Sequence, residues 1–136
     1  MPKSRRVSSE RRRAVSLHRT DLAADDVDGH RTSADRTVLD CLRVLPFPDA
    51  LAVADSALRA GMTRSHLLAV TRDARGPGAR RAREIAALAD RRAANPFESA
   101  LRAICLQVEG LHVVPQVDIH DPHFLGRPDL VDSRLR

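Results

Sequence analysis

Apolar side chains recur at spacings of three and four residues through the middle of the chain, which is the pattern of helices that bury one face. The first such stripe consists of Val38, Leu39, Leu42 and Leu45. Pro46 ends this segment, Gly61 closes the next, and an Arg-Gly-Pro-Gly run at 75–78 separates two later ones. Residues 33–92 are therefore predicted to form a helical region of short amphipathic helices.

The clearest helix start in the chain is Asn95-Pro96-Phe97-Glu98. Asn95 is a good N-cap, Pro96 suits the first helical position, and Glu98 falls where a capping-box glutamate belongs. Apolar residues then fall on one face of the helix, namely Phe97, Leu101, Ile104, Cys105 and Val108. That face is expected to pack on a sheet.

Alternation of apolar and polar residues predicts a half-buried strand at 113–120, at a sheet edge because Pro115 cannot donate a backbone hydrogen bond. Asp121-Pro122 marks a turn, and residues 124–131 are predicted to form a second strand. A two-stranded ribbon is marginal by itself, so the sheet is expected to be incomplete. The predicted fold class is α+β.

The beginning of the chain has a different character. Residues 1–14 are polar, basic and aperiodic, which indicates a disordered arm. Residues 15–22 could hold one short strand, and residues 25–33, rich in Asp and Gly, are predicted to be a loop. The segment 15–32 is thus a small unit before the helices.

The net charge of +5 is unevenly distributed. Residues 1–20 hold seven basic residues and one acidic residue, and residues 72–92 hold seven and three. The second group could follow phosphates or form a solvated helix face. The first group is the better candidate for DNA contact, through Arg5, Arg6, Arg11, Arg12 and Arg13.

The composition also excludes some classes of protein. With no Trp, no Tyr and only three Phe, the chain lacks the ring platforms of modules that bind single-stranded nucleic acid by stacking. No stretch approaches the length of about 18 apolar residues that a membrane span requires, and no apolar segment follows the basic start. We therefore expect a cytoplasmic protein that does not contact the membrane.

Several runs resemble one family of proteins. They are Thr32 to Cys41, Leu45 to Gly61, Asn95 to Arg102, Val114-Pro-Gln116 and Phe124 to Leu130. They are similar to an actinobacterial family that joins an abortive-infection antitoxin-like (AbiEi-type) region to a C-terminal domain similar to the very-short-patch-repair endonuclease. The resemblance covers roughly residues 15–132. It implies that 93–136 is part of a restriction-endonuclease-like α/β domain.

Family members have a winged-helix segment before this region, of which residues 15–32 would be a remnant. After the Asp-Leu strand they continue into a strand with a Glu. The resemblance therefore implies a chain truncated at both ends. It assigns Asp129 as a strand-borne ligand of Mg²⁺ and Glu98 as a second catalytic carboxylate from the helix. One or two carboxylates hold Mg²⁺ poorly, so we expect this chain to bind none by itself.

Other interpretations stay open. Glu98 could serve only as a helix cap with Arg102 as its partner one turn later, and Asp129 could be an ordinary strand-end residue. The preferred hypothesis is a truncated relative of a metal-dependent DNA endonuclease that is inactive alone. The alternative is a DNA-binding antitoxin-like or transcriptional regulatory protein without catalysis, for which a cognate toxin is a candidate partner. A remnant reading frame without function is a third hypothesis.

Overall fold

The computed structural model describes residues 20–134, and in this range the chain combines α-helices with short antiparallel strands. The predicted α+β class is therefore confirmed. The chain divides after Ser33 into two compact units. The predicted boundary between residues 92 and 93 lies inside the second unit.

In the first unit, the segment that was predicted to be a loop contains a small hairpin. A 3-10 turn at Ala24–Asp26 leads into β1 (Val27–Asp28), which pairs antiparallel with β2 (Arg31–Thr32). The turn between them consists of Gly29 and His30, and Gly29, with φ 59°, adopts the left-handed conformation without a steric penalty. Residues 20–22 form no strand, and residues 15–19 of the predicted strand lie outside the described residues.

The second unit contains the predicted helices. They are α1 (Ala34–Val44), α2 (Phe47–Arg59), α3 (Arg64–Arg72), α4 (Ala79–Leu88) and α5 (Pro96–Cys105). Their ends follow local chemistry. The Thr63 hydroxyl accepts a hydrogen bond from the His66 amide (3.1 Å), and the Asn95 side chain accepts from the amides of Phe97 and Glu98. The strong start predicted for α5 is confirmed.

The core of this unit lies among the helices and is built from aliphatic side chains. Its largest fully buried apolar members are Leu42, Leu51, Leu67 and Ile85, and alanines fill much of the remaining space. Gly78, which precedes α4, is required by this packing. It has φ 75°, and a Cβ there would lie 3.0 Å from the Arg43 carbonyl oxygen. Close helix packing therefore depends on small residues.

The two strands predicted near the C-terminal end are each interrupted. The observed strands are β3 (Val113–Pro115), β4 (Ile119–Asp121), β5 (His123–Gly126) and β6 (Leu130–Asp132). β3 pairs antiparallel with β6, and β4 with β5. The first strand breaks at Gln116, whose φ of 51° is incompatible with extended backbone. The prediction of two continuous strands was therefore wrong.

Helix α5 buries a different face from the one its apolar residues predicted. Ser99, Arg102 and Ala103 are buried, whereas Phe97 is 87% exposed and Leu101 is 50% exposed. The small side chains of Ser99 and Ala103 let α5 pack against α2. Most of the apolar stripe is exposed, and although α5 contacts β3, its apolar face is not buried against a sheet within residues 20–134.

Candidate functional site

Glu98 lies in the first turn of α5, and its carboxylate is held by the residues just before the helix. Oε2 accepts a hydrogen bond from the Ala94 amide (2.8 Å), and Oε1 accepts one from Asn95 Nδ2 (2.6 Å). Glu98 thus has the capping role that its position predicted, with Ala94 in place of Asn95 as the backbone donor. Negative charge in the first turn also suits the helix dipole.

Gln116 brings Glu98 together with Asp129. Its side-chain Nε2 donates to Glu98 Oε2 (3.0 Å) and to Asp129 Oδ1 (3.1 Å). Its backbone amide donates to the Asp129 carbonyl (3.2 Å). Among residues 20–134, Gln116 is the one non-glycine residue with positive φ, and this conformation is uncommon enough to indicate a specific local requirement. Here it directs one residue to both carboxylates.

The site is therefore two carboxylates around a neutral amide. An amide NH₂ group has two hydrogens, so Gln116 can donate one to each acceptor and offset the repulsion between them. Glu98 and Gln116 are half-buried, and Asp129 is exposed. Rotating the amide by half a turn would replace its nitrogen with its oxygen. Two carboxylates and an amide oxygen would then form a donor set that suits Mg²⁺, Mn²⁺ or Ca²⁺.

The described residues contain no cluster of three or more His, Cys, Asp or Glu side chains that could hold a metal ion. Gln116 is an oxygen donor of another type, and it was missed as a site residue by sequence reasoning. Its only signal was its place in the Val-Pro-Gln run, because nothing local shows that it faces α5. Arg102 also differs from its prediction, since it binds Asp55 and not Glu98.

Charged residues on the neighbouring loops are paired. Arg127 donates from Nη2 to Asp118 Oδ2 (2.9 Å), and Arg127 Nε also donates to this carboxylate. The hydrogen bond from Arg127 holds the pKa of Asp118 below its ordinary value, so both groups are charged at neutral pH. This arginine, two residues before Asp129, is already engaged with an acid.

Two groups of arginines were considered for contact with nucleic acid, the predicted N-terminal group and the one at 72–92, for which a solvated helix face was the other interpretation. Arg5, Arg6, Arg11, Arg12 and Arg13 lie outside the described residues. Within 72–92, Arg81 donates to the Leu42 carbonyl (3.1 Å) and to the Leu45 carbonyl, and Arg83 donates to the Ala74 carbonyl (3.2 Å). These two guanidiniums bind backbone, so the segment is more than a solvated face.

Comparison with known proteins gives no match: no family model, no curated protein and no solved structure is similar enough to this chain to identify a relative. Separately, in residues 20–134 none of the helices combines the length and the apolar character needed to cross a membrane.

Proposed function

We propose that this chain is a relative of the metal-dependent DNA endonucleases, with a partial site that binds a divalent cation weakly and does not cleave DNA by itself. The observation that carries the proposal is the Gln116 amide, which hydrogen-bonds to both Glu98 and Asp129. These two carboxylates come from a helix and a strand end far apart in sequence. They are the same two that the resemblance assigns to metal chemistry.

Glu98, Asp129 and the Gln116 amide oxygen would hold the ion. When bound, a divalent cation stabilises charge on a phosphate and lowers the pKa of a bound water. The protein contributes two negative charges to a position where an ion can keep several of its waters, which is the usual state of protein-bound Mg²⁺. The restriction-endonuclease-like fold belongs to the same proposal.

The affinity is expected to be low. Mg²⁺ requires near-ideal octahedral geometry and dehydrates reluctantly, and the described residues offer two carboxylates and one amide. We expect a Kd on the order of 1 mM, as for cation sites with few charged ligands. The sequence alone led us to expect no Mg²⁺ binding. Because the Gln116 amide oxygen would add a third ligand, we propose weak Mg²⁺ binding instead. Cleavage is not expected, because positioning and activating a water requires more groups than these.

The first test is a titration of the full chain with Mn²⁺, followed by electron paramagnetic resonance of the free ion. Asp129→Asn and Glu98→Gln should each weaken binding by roughly tenfold or more, since even residues that only orient metal ligands commonly contribute this much. Gln116→Glu should strengthen binding, because it adds a third carboxylate. Glu109→Gln, an exposed acid at another position, is the matched control.

The outcomes separate the hypotheses. Equal Mn²⁺ binding by all these variants would refute the metal site. Plasmid cleavage in Mg²⁺ that disappears in Asp129→Asn would show a complete enzyme and overturn the proposed inactivity. Salt-sensitive DNA binding that is unaffected by these variants and lost on removal of residues 1–14 would favour the alternative, a DNA-binding regulator without catalysis.

A further inference from the structure

The buried face of α5 carries little apolar surface to hold the helix in place. It consists of Ser99, Arg102 and Ala103, with the Arg102 residue only 3% exposed. The large apolar residues of this helix are on the opposite, exposed face. Burial of a serine and an alanine contributes less than burial of a leucine or phenylalanine. The position of α5 must therefore depend strongly on the contacts of Arg102.

Arg102 joins three parts of the helical unit. Its Nη2 lies 2.9 Å from both carboxylate oxygens of Asp55, which is fully buried in α2. Its Nη1 donates to the carbonyl of Leu88, the last residue of α4 (2.9 Å). Asp55 Oδ1 also accepts the amide of Asp90 (2.7 Å). A single buried carboxylate thus binds both α5 and the segment between α4 and α5.

Asp55 is connected to Glu98 in two ways, through Arg102 and through the Asp90 amide. Arg102 follows Glu98 by four residues, so the two lie about one helical turn apart on α5. Asp90 lies in the segment that connects α4 to α5, and the same segment contains Ala94, whose amide donates to Glu98 (2.8 Å). That segment is held again by Arg59, which donates to the Ala93 carbonyl. The carboxylate of Glu98 and one of its donors are thus held by one buried pair.

We propose that Asp55 and Arg102 are positioning residues for the Glu98–Gln116–Asp129 site, so that the helical unit determines where Glu98 stands relative to Asp129. Buried ion pairs are weak evidence for stability, because desolvation offsets their attraction. Arg102 Nε is in addition buried without a hydrogen-bond partner among the described residues. Arg102 does fix direction, because its planar guanidinium donates from Nη2 to the Asp55 carboxylate and from Nη1 to the Leu88 carbonyl at the same time, which few orientations allow.

The test uses a signal of the site that does not require a metal. In the ¹⁵N-labelled full chain, the side-chain amide of Gln116 reports its hydrogen bonds to Glu98 and Asp129. Glu98→Ala gives the reference position for a broken site. Arg102→Lys keeps the positive charge but loses the planar guanidinium. Asp55→Asn keeps the shape of the side chain but loses the negative charge. Both should move the Gln116 resonance toward the Glu98→Ala position while the circular dichroism stays helical.

Two controls separate positioning from stability. Leu67→Ala removes core volume in α3 and takes no part in the hydrogen bonds of Asp55 and Arg102, so it should destabilise the fold and leave the Gln116 resonance unchanged. The double variant Asp55→Leu/Arg102→Met replaces the pair by apolar residues, and such replacements are often neutral or stabilising. The double variant should unfold at about the wild-type temperature, but its Gln116 resonance should stay away from the wild-type position. It also provides a folded protein if the single variants do not fold.

The proposal is overturned if the Gln116 resonance stays at its wild-type position in Arg102→Lys and in Asp55→Asn, or returns to it in the double variant. Mn²⁺ affinity is a second measurement, expected to fall roughly tenfold in both single variants. This part rests on the proposed function. If neither the wild type nor any variant binds Mn²⁺, the proposed metal site is refuted. The Gln116 resonance then still tests whether Asp55 and Arg102 position Glu98.

Discussion

Asp90 is a half-buried carboxylate at the start of the segment between α4 and α5. Burial opposes its ionisation, but hydrogen bonds from Arg92 outweigh burial and hold the pKa of Asp90 below its ordinary value. Arg92 donates to it from its backbone amide (2.9 Å) and from Nη2 (2.6 Å). The folded state therefore binds the Asp90 proton less tightly than the unfolded state does.

A carboxyl with a lowered pKa in the folded state stabilises the fold when ionised. This contribution is fully present above the ordinary value of 3.8 and is lost as the pH falls through the folded-state pKa. Asp90→Asn should lower the free energy of unfolding at pH 7 by less than about 1 kcal/mol, because water screens the pair. Urea unfolding from pH 7 to pH 2 should show this deficit shrinking below about pH 4.

The donor side of the same pair gives an independent check. Arg92→Met should also cost stability at pH 7 and also lose most of that cost in acid, because it removes the side-chain donors and leaves the backbone one. A deficit that stays constant from pH 7 to pH 2 in Asp90→Asn would contradict the assignment of this carboxylate as a stabilising ion.

At the scale of helices, arginines occupy many of the C-terminal ends. Arg81 donates to carbonyls near the end of α1, and Arg64 donates to the carbonyl of Ala87 at the end of α4 (2.7 Å). The last carbonyls of a helix have no partners within the helix, and cations there also suit the dipole. The basic composition thus has a structural use in the helical unit.

Arg81 offers the sharpest prediction about these caps. Arg81→Met should lower the free energy of unfolding by about 2 kcal/mol, because the Leu42 and Leu45 carbonyls lose hydrogen bonds from a charged donor. Arg80→Met is the matched control, since Arg80 is exposed and its partner among the described residues is Glu84, four residues later. The control should change little. The free energy of unfolding is measured with urea. Equal decreases in the two variants would show that the hydrogen bonds from Arg81 to the α1 end do not stabilise the fold.

Helix boundaries could be predicted because their causes are local. Asn95 and Thr63 cap the helices that follow them, and Pro or Gly interrupts the stripes. The buried face of α5 could not be predicted, because Arg102 finds Asp55 47 residues earlier in the chain. The break at Gln116 was equally hidden, since a glutamine with positive φ leaves no mark in an alternating pattern.

The same distinction applies to the candidate site. Glu98 and Asp129 were assigned by resemblance, and the structure places both beside Gln116. The roles proposed for Gln116, Asp55 and Arg102 required the tertiary structure, because each depends on a partner on another element. Sequence patterns predict where helices and strands end, whereas contacts between elements are known only from the tertiary structure.

At the scale of the whole molecule, the exposed apolar side of α5 should affect the behaviour of the protein in solution. Phe97, Leu101 and Ile104 are 87%, 50% and 57% exposed, and Val108 continues the stripe beyond the helix. Exposed apolar residues are ordinary when scattered, but a contiguous stripe is not. The folded chain should therefore bind anilinonaphthalene sulfonate, a dye whose fluorescence rises on apolar surface.

The double variant Phe97→Gln/Leu101→Gln tests this surface. Dye fluorescence in the folded state should fall, because two side chains of the stripe become polar. The free energy of unfolding should change by no more than about 0.5 kcal/mol, as is usual for exposed positions. Val44→Gln, at an exposed valine in α1, is the control and should leave the fluorescence unchanged. A loss of several kcal/mol in the double variant would mean that these residues are buried in solution and that α5 packs through its apolar face after all.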